Sequence, residues 1–264
     1  MVPGMKVVIL CGGKGTRLRE ETEFRPKPML PIGGRPILWH IMKIYARHGF
    51  NEFVLCLGYK GEVIRDYFRN YLWNSSDVTL EIGGGAPPIF HHVPEENNWK
   101  VTLAETGEET LTAGRIKKIR PYLGEDQNFL LTYGDGVGDV DISACLAEHI
   151  RRGKILTMTT VHPPGRFGEA ALTKEGDVTS FNEKPQTEEG WINGGFFCAS
   201  TRIFDCLGEY GDVLLEKEPM QKLALDEELH AYRHQGFWQP MDTFQEYTRL
   251  NALWAAGDAP WKVW

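Results

Sequence analysis

The fold of this chain is decided by the stretch Met5-Lys6-Val7-Val8-Ile9-Leu10-Cys11-Gly12-Gly13-Lys14-Gly15-Thr16-Arg17. Its first five residues are mostly apolar and partly β-branched, which predicts a buried strand over residues 5–9. Three glycines follow close together, and a glycine backbone permits positive φ and lets a ligand approach without a Cβ in the way. Consecutive N–H groups in such a loop bind anions. Because Lys14 and Arg17 add positive charge, the stretch predicts a phosphate site at the end of a strand.

Two well-known phosphate loops do not fit this stretch. The glycine spacing is G-G-x-G and not G-x-G-x-x-G, which excludes the dinucleotide-binding fingerprint. No Gly-Lys-Ser/Thr follows at the P-loop spacing, which excludes a Walker site. A plain glycine turn between a strand and a helix remains the alternative to a ligand site.

A proline-rich segment follows the glycine loop, Arg25-Pro26-Lys27-Pro28-Met29-Leu30-Pro31. Proline fixes φ and stiffens the chain. Pro28 also biases Lys27, the residue before it, towards an extended conformation. A rigid lysine a short loop away from a phosphate site predicts a catalytic positive charge.

An aspartate follows a second buried strand. Residues 128–132 are largely apolar and lead directly into Tyr133-Gly134-Asp135-Gly136. A carboxylate at the carboxyl end of a central strand lies where α/β sheets bind their ligands. The alternative is an Asp-Gly turn. Beside a phosphate loop, we favour magnesium ligation by Asp135.

Helices and strands alternate along the chain and predict an α/β sheet. The helix over 36–48, the strand over 51–57 and the helix over 61–72 continue the order β-loop-α-β-α, the start of a doubly wound sheet. Alternating polarity over 169–173 and 178–181 predicts a hairpin. Further helices are predicted over residues 141–151, 214–225 and 244–256. Further strands are predicted over residues 78–82, 89–93, 100–104, 128–132 and 155–161.

These motifs together resemble those of the sugar-phosphate nucleotidyltransferases, also called nucleotide-sugar pyrophosphorylases. The glycine loop and Pro26-Lys27-Pro28 resemble the signature of that superfamily, and the similarity covers nearly the whole chain. The later matching segments are Pro36-Ile37-Leu38-Trp39-His40, Tyr133-Gly134-Asp135-Gly136, Pro163-Pro164-Gly165-Arg166-Phe167-Gly168, Glu183-Lys184-Pro185, Asn193-Gly194-Gly195-Phe196-Phe197 and Phe237-Trp238-Gln239-Pro240-Met241-Asp242-Thr243. Those segments are most similar to the family subgroup that joins CTP to glucose 1-phosphate.

The resemblance and the alternating pattern together imply one α/β domain over residues 1–264. We expect a Rossmann-like doubly wound mixed sheet with a smaller sugar-binding β elaboration and C-terminal helices. Residues 5–135 would mainly bind the nucleotide. Residues 136–264 would mainly bind the sugar phosphate and form the C-terminal elaboration.

The reaction implied by the resemblance joins a sugar 1-phosphate to a nucleoside triphosphate and expels pyrophosphate, by magnesium-assisted direct displacement at the α-phosphate. No general base is needed, because a phosphate monoester is already ionised at about pH 7. Three catalytic residues are implied: Arg17 at the leaving pyrophosphate, Lys27 at the α-phosphate and Lys184 at the attacking sugar phosphate.

The resemblance also implies which residues bind each reactant. Nucleotide binding is implied for Leu10, Gly12, Gly13, Gly15, Thr16, Arg17, Lys27, Arg115 and Asp135. Sugar-phosphate binding is implied for Gly168, Glu183, Lys184 and Asn193. Ligation of Mg²⁺, the expected cofactor, is implied for Asp135 and Asp242.

Several of these residues also have ordinary structural interpretations. Arg17 and Arg115 could be exposed arginines on helices, and Glu183-Lys184 could be an exposed charged turn. A capping box fits the start of the helix over 244–256, so Asp242 could simply place negative charge at that helix N-terminus.

Two other function classes share parts of the pattern. One is a non-catalytic sensor of nucleotide sugars on the same fold, and the other is a glycosyltransferase with an aspartate-bound metal. The joint presence of Arg17, Lys27, Asp135 and Asp242 disfavours a sensor. The Gly-Gly-x-Gly-x-x-Arg loop disfavours a glycosyltransferase.

Composition limits the partners. The chain has 264 residues, 42% of them hydrophobic and 25% charged, which is typical of a soluble globular protein. A net charge of −7 disfavours a nucleic-acid surface, and no apolar run reaches the ~18 residues that a membrane helix needs. The five cysteines lack C-x-x-C spacing, which favours a reducing cytoplasm. We therefore expect small-molecule substrates, CTP and a sugar 1-phosphate, and a homo-oligomer.

Overall fold

The computed structural model describes residues 4–15, 18–92, 94–163, 169–173, 178–182, 190–208 and 211–264. Its strands, in chain order, are β1 (Lys6–Leu10), β2 (Pro31–Ile32), β3 (Arg35–Pro36), β4 (Glu52–Leu57), β5 (Val78–Thr79), β6 (Ile89–Phe90), β7 (Lys100–Glu105), β8 (Asn128–Tyr133), β9 (Gly136–Gly138), β10 (Leu156–Val161), β11 (Glu169–Leu172), β12 (Val178–Asn182), β13 (Ile192–Ser200), β14 (Leu229–Arg233) and β15 (Trp238–Pro240). Its helices are α1 (Arg19–Thr22), α2 (Ile37–Arg47), α3 (Gly61–Arg69), α4 (Tyr71–Ser75), α5 (Thr112–Lys118), α6 (Ile142–Arg152), α7 (Ile203–Gly208), α8 (Glu218–Leu225) and α9 (Phe244–Ala256).

Seven of these strands form one central sheet in the order β14-β10-β13-β8-β1-β4-β7. β1 pairs in parallel with β4 and β8, and β4 pairs in parallel with β7. β13 is antiparallel to both of its neighbours, whereas β14 is parallel to β10. Only β13 therefore runs against the other six strands, and the predicted mixed α/β sheet is confirmed.

Helices cover both faces of this sheet because side chains alternate along a strand. Val7 and Ile9 of β1 belong to one buried core together with residues of α2. Val8 and Leu10 belong to a second core together with residues of α5, α7 and α8. The two-sided burial explains why β1 is apolar at nearly every position.

The carboxyl ends of β1 and β8 lie side by side, with Leu10 paired with Tyr133. The glycine loop leaves the sheet after β1, and Asp135 lies two residues after β8. Parallel α/β sheets bind their ligands at this edge. The two predicted ligand segments therefore meet at one place.

A short ribbon of β9 and β15 begins directly after Asp135, and sequence reasoning did not predict it. The two strands are antiparallel, with Gly136 opposite Pro240. The Met241 N–H donates to the carbonyl oxygen of Asp135 over 2.8 Å. Asp242 follows directly, so the ribbon brings two aspartates together that lie far apart in the chain.

Most predicted elements are present, including the β11–β12 hairpin. The predicted helix over 61–72 is divided into α3 and α4 at Asn70. α8 begins at Glu218 and not at Leu214, because Lys217 has non-helical angles and Pro219 suits the first helical turn. β14 was not predicted. In the described part of the chain, no helix combines the length and the apolar character that crossing a membrane requires.

Candidate active site

The glycine loop follows β1 and packs against the side chain of Arg115. Gly12 leaves no space for a larger residue, since a Cβ there would lie 2.0 Å from Arg115 Nη1. Gly15 has a φ of +61°, in the left-handed region that favours glycine. The Thr22 hydroxyl donates to the Gly15 carbonyl oxygen over 3.2 Å. Positive φ therefore favours glycine at position 15, and the packed guanidinium of Arg115 leaves no room for a side chain at position 12.

Arg115 is buried, and its two terminal nitrogens donate to four protein acceptors. Those acceptors, at 2.7 to 3.1 Å, are the carbonyl oxygens of Leu57, Gly12 and Glu108 and the hydroxyl of Thr106. Burial lowers the pKa of Arg115 from its ordinary value. The alternative of an exposed helix arginine is wrong. Arg115 holds the glycine loop against α5, and direct contact with a base stays a prediction.

Lys27 lies in a short 3-10 turn that covers Lys27–Met29, so the extended conformation expected from Pro28 is wrong. Its side chain is 10% exposed. The ammonium donates to Asp135 Oδ2 over 2.7 Å and also to Asp242 Oδ1. Burial acts against the charged form, but the charges and hydrogen bonds of both aspartates outweigh it and raise the pKa of Lys27. Lys27 is therefore a fixed positive charge at the sheet edge.

Asp242 does not cap α9. The N-cap is Thr243, whose hydroxyl accepts from the Glu246 N–H over 3.3 Å. The Glu246 carboxylate completes the capping box by accepting from the backbone N–H groups of Asp242 and Thr243 at 2.7 and 2.8 Å. The carboxylate of Asp242 is thus available for Lys27.

The donor set formed by Asp135 and Asp242 suits Mg²⁺. Both carboxylates contact the same ammonium group, and their side chains are 33% and 32% exposed. Magnesium in nucleotide sites is commonly held by one or two carboxylates, with waters and substrate phosphates as the other ligands. Across the described residues, no cluster of three or more His, Cys, Asp or Glu side chains could hold a metal. The protein ligands available for Mg²⁺ at this site are therefore the two carboxylates of Asp135 and Asp242.

A cleft of about 700 Å³ opens beside these charges. One wall is the glycine loop from Gly12 to Gly15, and Lys27 and Asp242 lie at one side. The opposite wall is the start of α5, with Leu214 and Glu216 from the segment before α8. The glycine loop, Lys27 and Asp242 therefore border one shared space.

Asn193 lies beside a second, smaller cleft of about 60 Å³ that also includes Asp135. Its amide nitrogen donates to the Tyr133 hydroxyl over 3.1 Å, and its amide oxygen accepts from the Gly195 N–H over 2.8 Å. The structure therefore brings Asn193 next to the predicted reaction centre.

Five other predicted site residues lie outside the described residues: Thr16, Arg17, Gly168, Glu183 and Lys184.

Sequence reasoning missed a hydrogen-bond network in the wall of the nucleotide cleft. The Tyr133 hydroxyl donates to Glu216 Oε1, and the Thr112 hydroxyl donates to Glu216 Oε2 over 2.8 Å. Tyr133 belongs to the sequence motif around Asp135, and that motif does not indicate a role for its hydroxyl. Glu216 was placed inside a predicted helix, and nothing in its neighbourhood in the sequence indicates its partner.

Comparison with known proteins identifies relatives over nearly the whole chain. A model of the nucleotidyl transferase family matches residues 6–256. The glucose-1-phosphate cytidylyltransferase of Salmonella typhimurium is 48% identical over 98% of this chain and 100% of its own length. The probable glucose-1-phosphate cytidylyltransferase of Bacillus subtilis is 46% identical with the same coverage of both chains.

Solved structures share the fold at lower sequence identity. A putative glucose-1-phosphate thymidylyltransferase from Bacillus anthracis, in complex with a sucrose, superposes with a TM-score of 0.68 at 18% identity, over 97% of this chain and 96% of its own. HddC from Yersinia pseudotuberculosis, complexed with GMP-PN, gives a TM-score of 0.64 at 22% identity, over 95% and 99% of the two chains.

Proposed function

This chain belongs to the nucleotidyl transferase family, and we propose that it joins CTP to α-D-glucose 1-phosphate, giving CDP-glucose and pyrophosphate. The observation that carries the proposal is the convergence of Lys27, Asp135 and Asp242 beside the glycine loop. The names of relatives nearly half identical over the full length support CTP and glucose 1-phosphate as substrates.

The residues of the site suit a direct displacement between two anions. Backbone N–H groups of the glycine loop would bind the triphosphate, and Lys27 would neutralise the charge that develops at the α-phosphate. Arg17 would bind the leaving pyrophosphate, and Lys184 would hold the sugar phosphate for attack. Positioning and charge neutralisation of this kind supply most of the acceleration in phosphoryl-type transfer.

Magnesium is the proposed cofactor, with Asp135 and Asp242 as its protein ligands. When bound, the ion neutralises phosphate oxygens. Lys27, which contacts both carboxylates, would remain beside the α-phosphate as the neighbouring positive charge. The support is the donor set itself and the preference of Mg²⁺ for carboxylate oxygens.

The experiment that tests the function is a matrix of nucleoside triphosphates against sugar 1-phosphates, with pyrophosphate release as the readout. Release from CTP and glucose 1-phosphate supports the proposal. Binding of a nucleotide sugar without turnover would instead indicate a sensor. Sugar transfer from a nucleotide sugar without pyrophosphate release would indicate a glycosyltransferase.

The first prediction concerns the base. Cytosine presents an amino donor where uracil presents a carbonyl acceptor, so a site built for one leaves buried groups unpaired with the other, at about 1–3 kcal/mol per group. We expect kcat/KM for CTP to exceed that for UTP and dTTP by at least about tenfold. Parallel initial-rate measurements with glucose 1-phosphate decide this, and equal kcat/KM for CTP and UTP would contradict it.

The second prediction is that the protein forms a homo-oligomer. β7 is an edge strand of the central sheet, and a groove of about 750 Å³ beside it is lined by Phe68, Tyr71, Trp99 and other apolar side chains. The nearby β5–β6 hairpin exposes apolar residues, with Ile82 90% exposed. Exposed apolar surface and a free sheet edge favour association.

Light scattering after size exclusion measures this association directly. Wild type should elute as an oligomer, and Ile82→Lys should shift the mass towards the monomer. Leu225→Lys is the matched control, because Leu225 is 84% exposed but lies in α8, away from this surface. A wild-type monomer at micromolar concentration would disprove the expectation.

We also propose a cytoplasmic location. All five cysteines lie in the described part of the chain, and no disulfide joins any two of them there. Four of the five are buried. Disulfides are rare in the reducing cytoplasm, so cysteines that form no disulfide support this location.

A further inference from the structure

Tyr133 lies between the two clefts of the site. It ends β8, two residues before Asp135, and lines both the nucleotide cleft and the smaller cleft beside Asn193. We infer that Tyr133 is a positioning residue, which ties the wall of the nucleotide cleft to the asparagine that binds the sugar. The inference rests on the proposed function, because it assigns Asn193 to the sugar.

On the nucleotide side, Tyr133 is held by Glu216. An ionised carboxylate only accepts hydrogen bonds, so the Tyr133 hydroxyl must be the donor. The second carboxylate oxygen accepts from Thr112, the first residue of α5, over 2.8 Å. The Thr112 hydroxyl in turn accepts from the Leu215 N–H over 2.7 Å. Glu216 is therefore fixed to the start of α5, and the direction of its bond with Tyr133 is set.

That direction determines how Asn193 is oriented. A phenol has a single O–H, and because it is donated to Glu216, the Tyr133 oxygen can only accept from Asn193. The Asn193 amide nitrogen must then face Tyr133, at 3.1 Å, while its amide oxygen accepts from the Gly195 N–H.

The backbone around Asn193 also fits the Tyr133 ring. Gly195 has a φ of +78°, and a Cβ there would lie 2.6 Å from Tyr133 Cδ2. The ring therefore packs directly against the glycine backbone. The neighbouring Gly194 carbonyl oxygen accepts a hydrogen bond from Trp238 Nε1 over 2.7 Å. Tyr133 and Trp238 therefore both contact the backbone that follows Asn193.

Asn193 retains hydrogen-bonding groups that suit a sugar hydroxyl. An amide has two N–H donors and two acceptor lone pairs, and the contacts above use one of each. Within the described residues, these contacts leave one donor and one acceptor, and a sugar hydroxyl both donates and accepts. In the described part of the chain, Glu216 reaches Asn193 only through the Tyr133 hydroxyl.

The test is a double-mutant cycle on Tyr133 and Asn193. Tyr133→Phe removes only the hydroxyl, so KM for glucose 1-phosphate should rise about tenfold, while KM for CTP should change by less than about threefold. Asn193→Ala should raise KM for glucose 1-phosphate at least as much. If Tyr133 acts through Asn193, the double variant should be no worse than Asn193→Ala alone.

Glu216 supplies the matched pair of variants. Glu216→Ala should reproduce the sugar effect of Tyr133→Phe, whereas Glu216→Gln retains an oxygen acceptor for the Tyr133 hydroxyl and should raise KM for glucose 1-phosphate less than Glu216→Ala does. Tyr122→Phe, at an exposed tyrosine, controls for loss of any phenol. Additive effects in the cycle, an unchanged KM for glucose 1-phosphate in Tyr133→Phe, or an equal rise in both KM values would overturn the inference.

Calorimetry separates this inference from the proposed function. Tyr133→Phe should lower the affinity for CDP-glucose about tenfold and the affinity for CDP by less than about threefold. Failure of the wild type to release pyrophosphate from CTP and glucose 1-phosphate would reject the proposed function alone. An equal loss of affinity for both ligands would reject the role of Tyr133 alone.

Discussion

Lys27→Met should lower kcat by roughly 100- to 1000-fold and leave KM for both substrates within about threefold. The ammonium is rigidly held beside the cleft, and its charge counts most when negative charge develops at the α-phosphate. Pyrophosphate release at saturating CTP and glucose 1-phosphate measures the loss. Lys184→Ala provides the contrast, since a lysine that holds the sugar phosphate in the ground state should mainly raise its KM. The same kinetic pattern in both variants would contradict the assigned roles.

Lys43→Met is the matched structural control. Lys43 is also 10% exposed and also pairs with two carboxylates, those of Glu95 and Glu96 at 2.8 and 3.5 Å. It extends from α2, and its partners lie away from the nucleotide cleft. Its loss should reduce stability and spare kcat. A comparable fall in kcat for Lys43→Met would mean that the effect of Lys27→Met is structural.

Thermal unfolding of Lys27→Met gives a readout that does not depend on turnover. Without Lys27, Asp135 and Asp242 face each other with no cation between them, so the metal-free variant should unfold at a lower temperature than wild type. Magnesium should then raise its unfolding temperature more than that of wild type, where Lys27 already contacts both carboxylates. An equal magnesium effect on both proteins would argue against a metal site there.

Local sequence patterns predicted the elements whose stability depends on residues close together in the chain. β1 is apolar and β-branched, and the helix predicted over 244–256 matches α9, whose capping box lies within four residues. In each case the energy that selects the structure comes from neighbours in the sequence.

The rest of the site depends on contacts between distant segments. The ribbon of β9 and β15 joins glycine and proline residues that have poor strand propensity, so its pairing has no local signal. Glutamate is usually exposed, so the sequence alone does not indicate that Glu216 accepts a hydrogen bond from Tyr133. That contact forms only when the fold brings the two residues together. Arg115 is buried because the carbonyl oxygens of Gly12 and Leu57 accept from its guanidinium, whereas a lone helix arginine predicts exposure. Asp242 was predicted through the family resemblance.

Asp135→Asn and Asp242→Asn should each lower kcat about 100-fold or more and raise the magnesium concentration needed for half-maximal activity. Each variant keeps the shape of the side chain and removes a charge that the ion needs. Initial rates across a magnesium titration measure both effects. Carboxylate repulsion alone predicts that either single variant is more stable without metal, but Lys27 already neutralises that repulsion, so we expect little change in the unfolding temperature.

The double variant Asp135→Asn/Asp242→Asn should behave differently in stability. It leaves Lys27 with neither carboxylate, although its side chain is only 10% exposed. We expect a loss of roughly 1–3 kcal/mol, less than for a fully buried pair because both carboxylates are about one-third exposed. Denaturant unfolding without metal measures this loss. Stability equal to that of the single variants would show that Lys27 finds other partners.

Thr243→Ala is the stability control for Asp242→Asn. It removes the N-cap of α9 and should cost about 1 kcal/mol of stability with kcat nearly unchanged. Asp242→Asn should do the reverse, because the cap is intact and the charge near Lys27 is lost. If Asp242→Asn instead turned over normally with unchanged magnesium dependence, Asp242 would serve only to hold Lys27 in place. Asp135 would then be the single protein ligand of the ion, and Lys27 would keep its contact with Asp242 throughout the reaction.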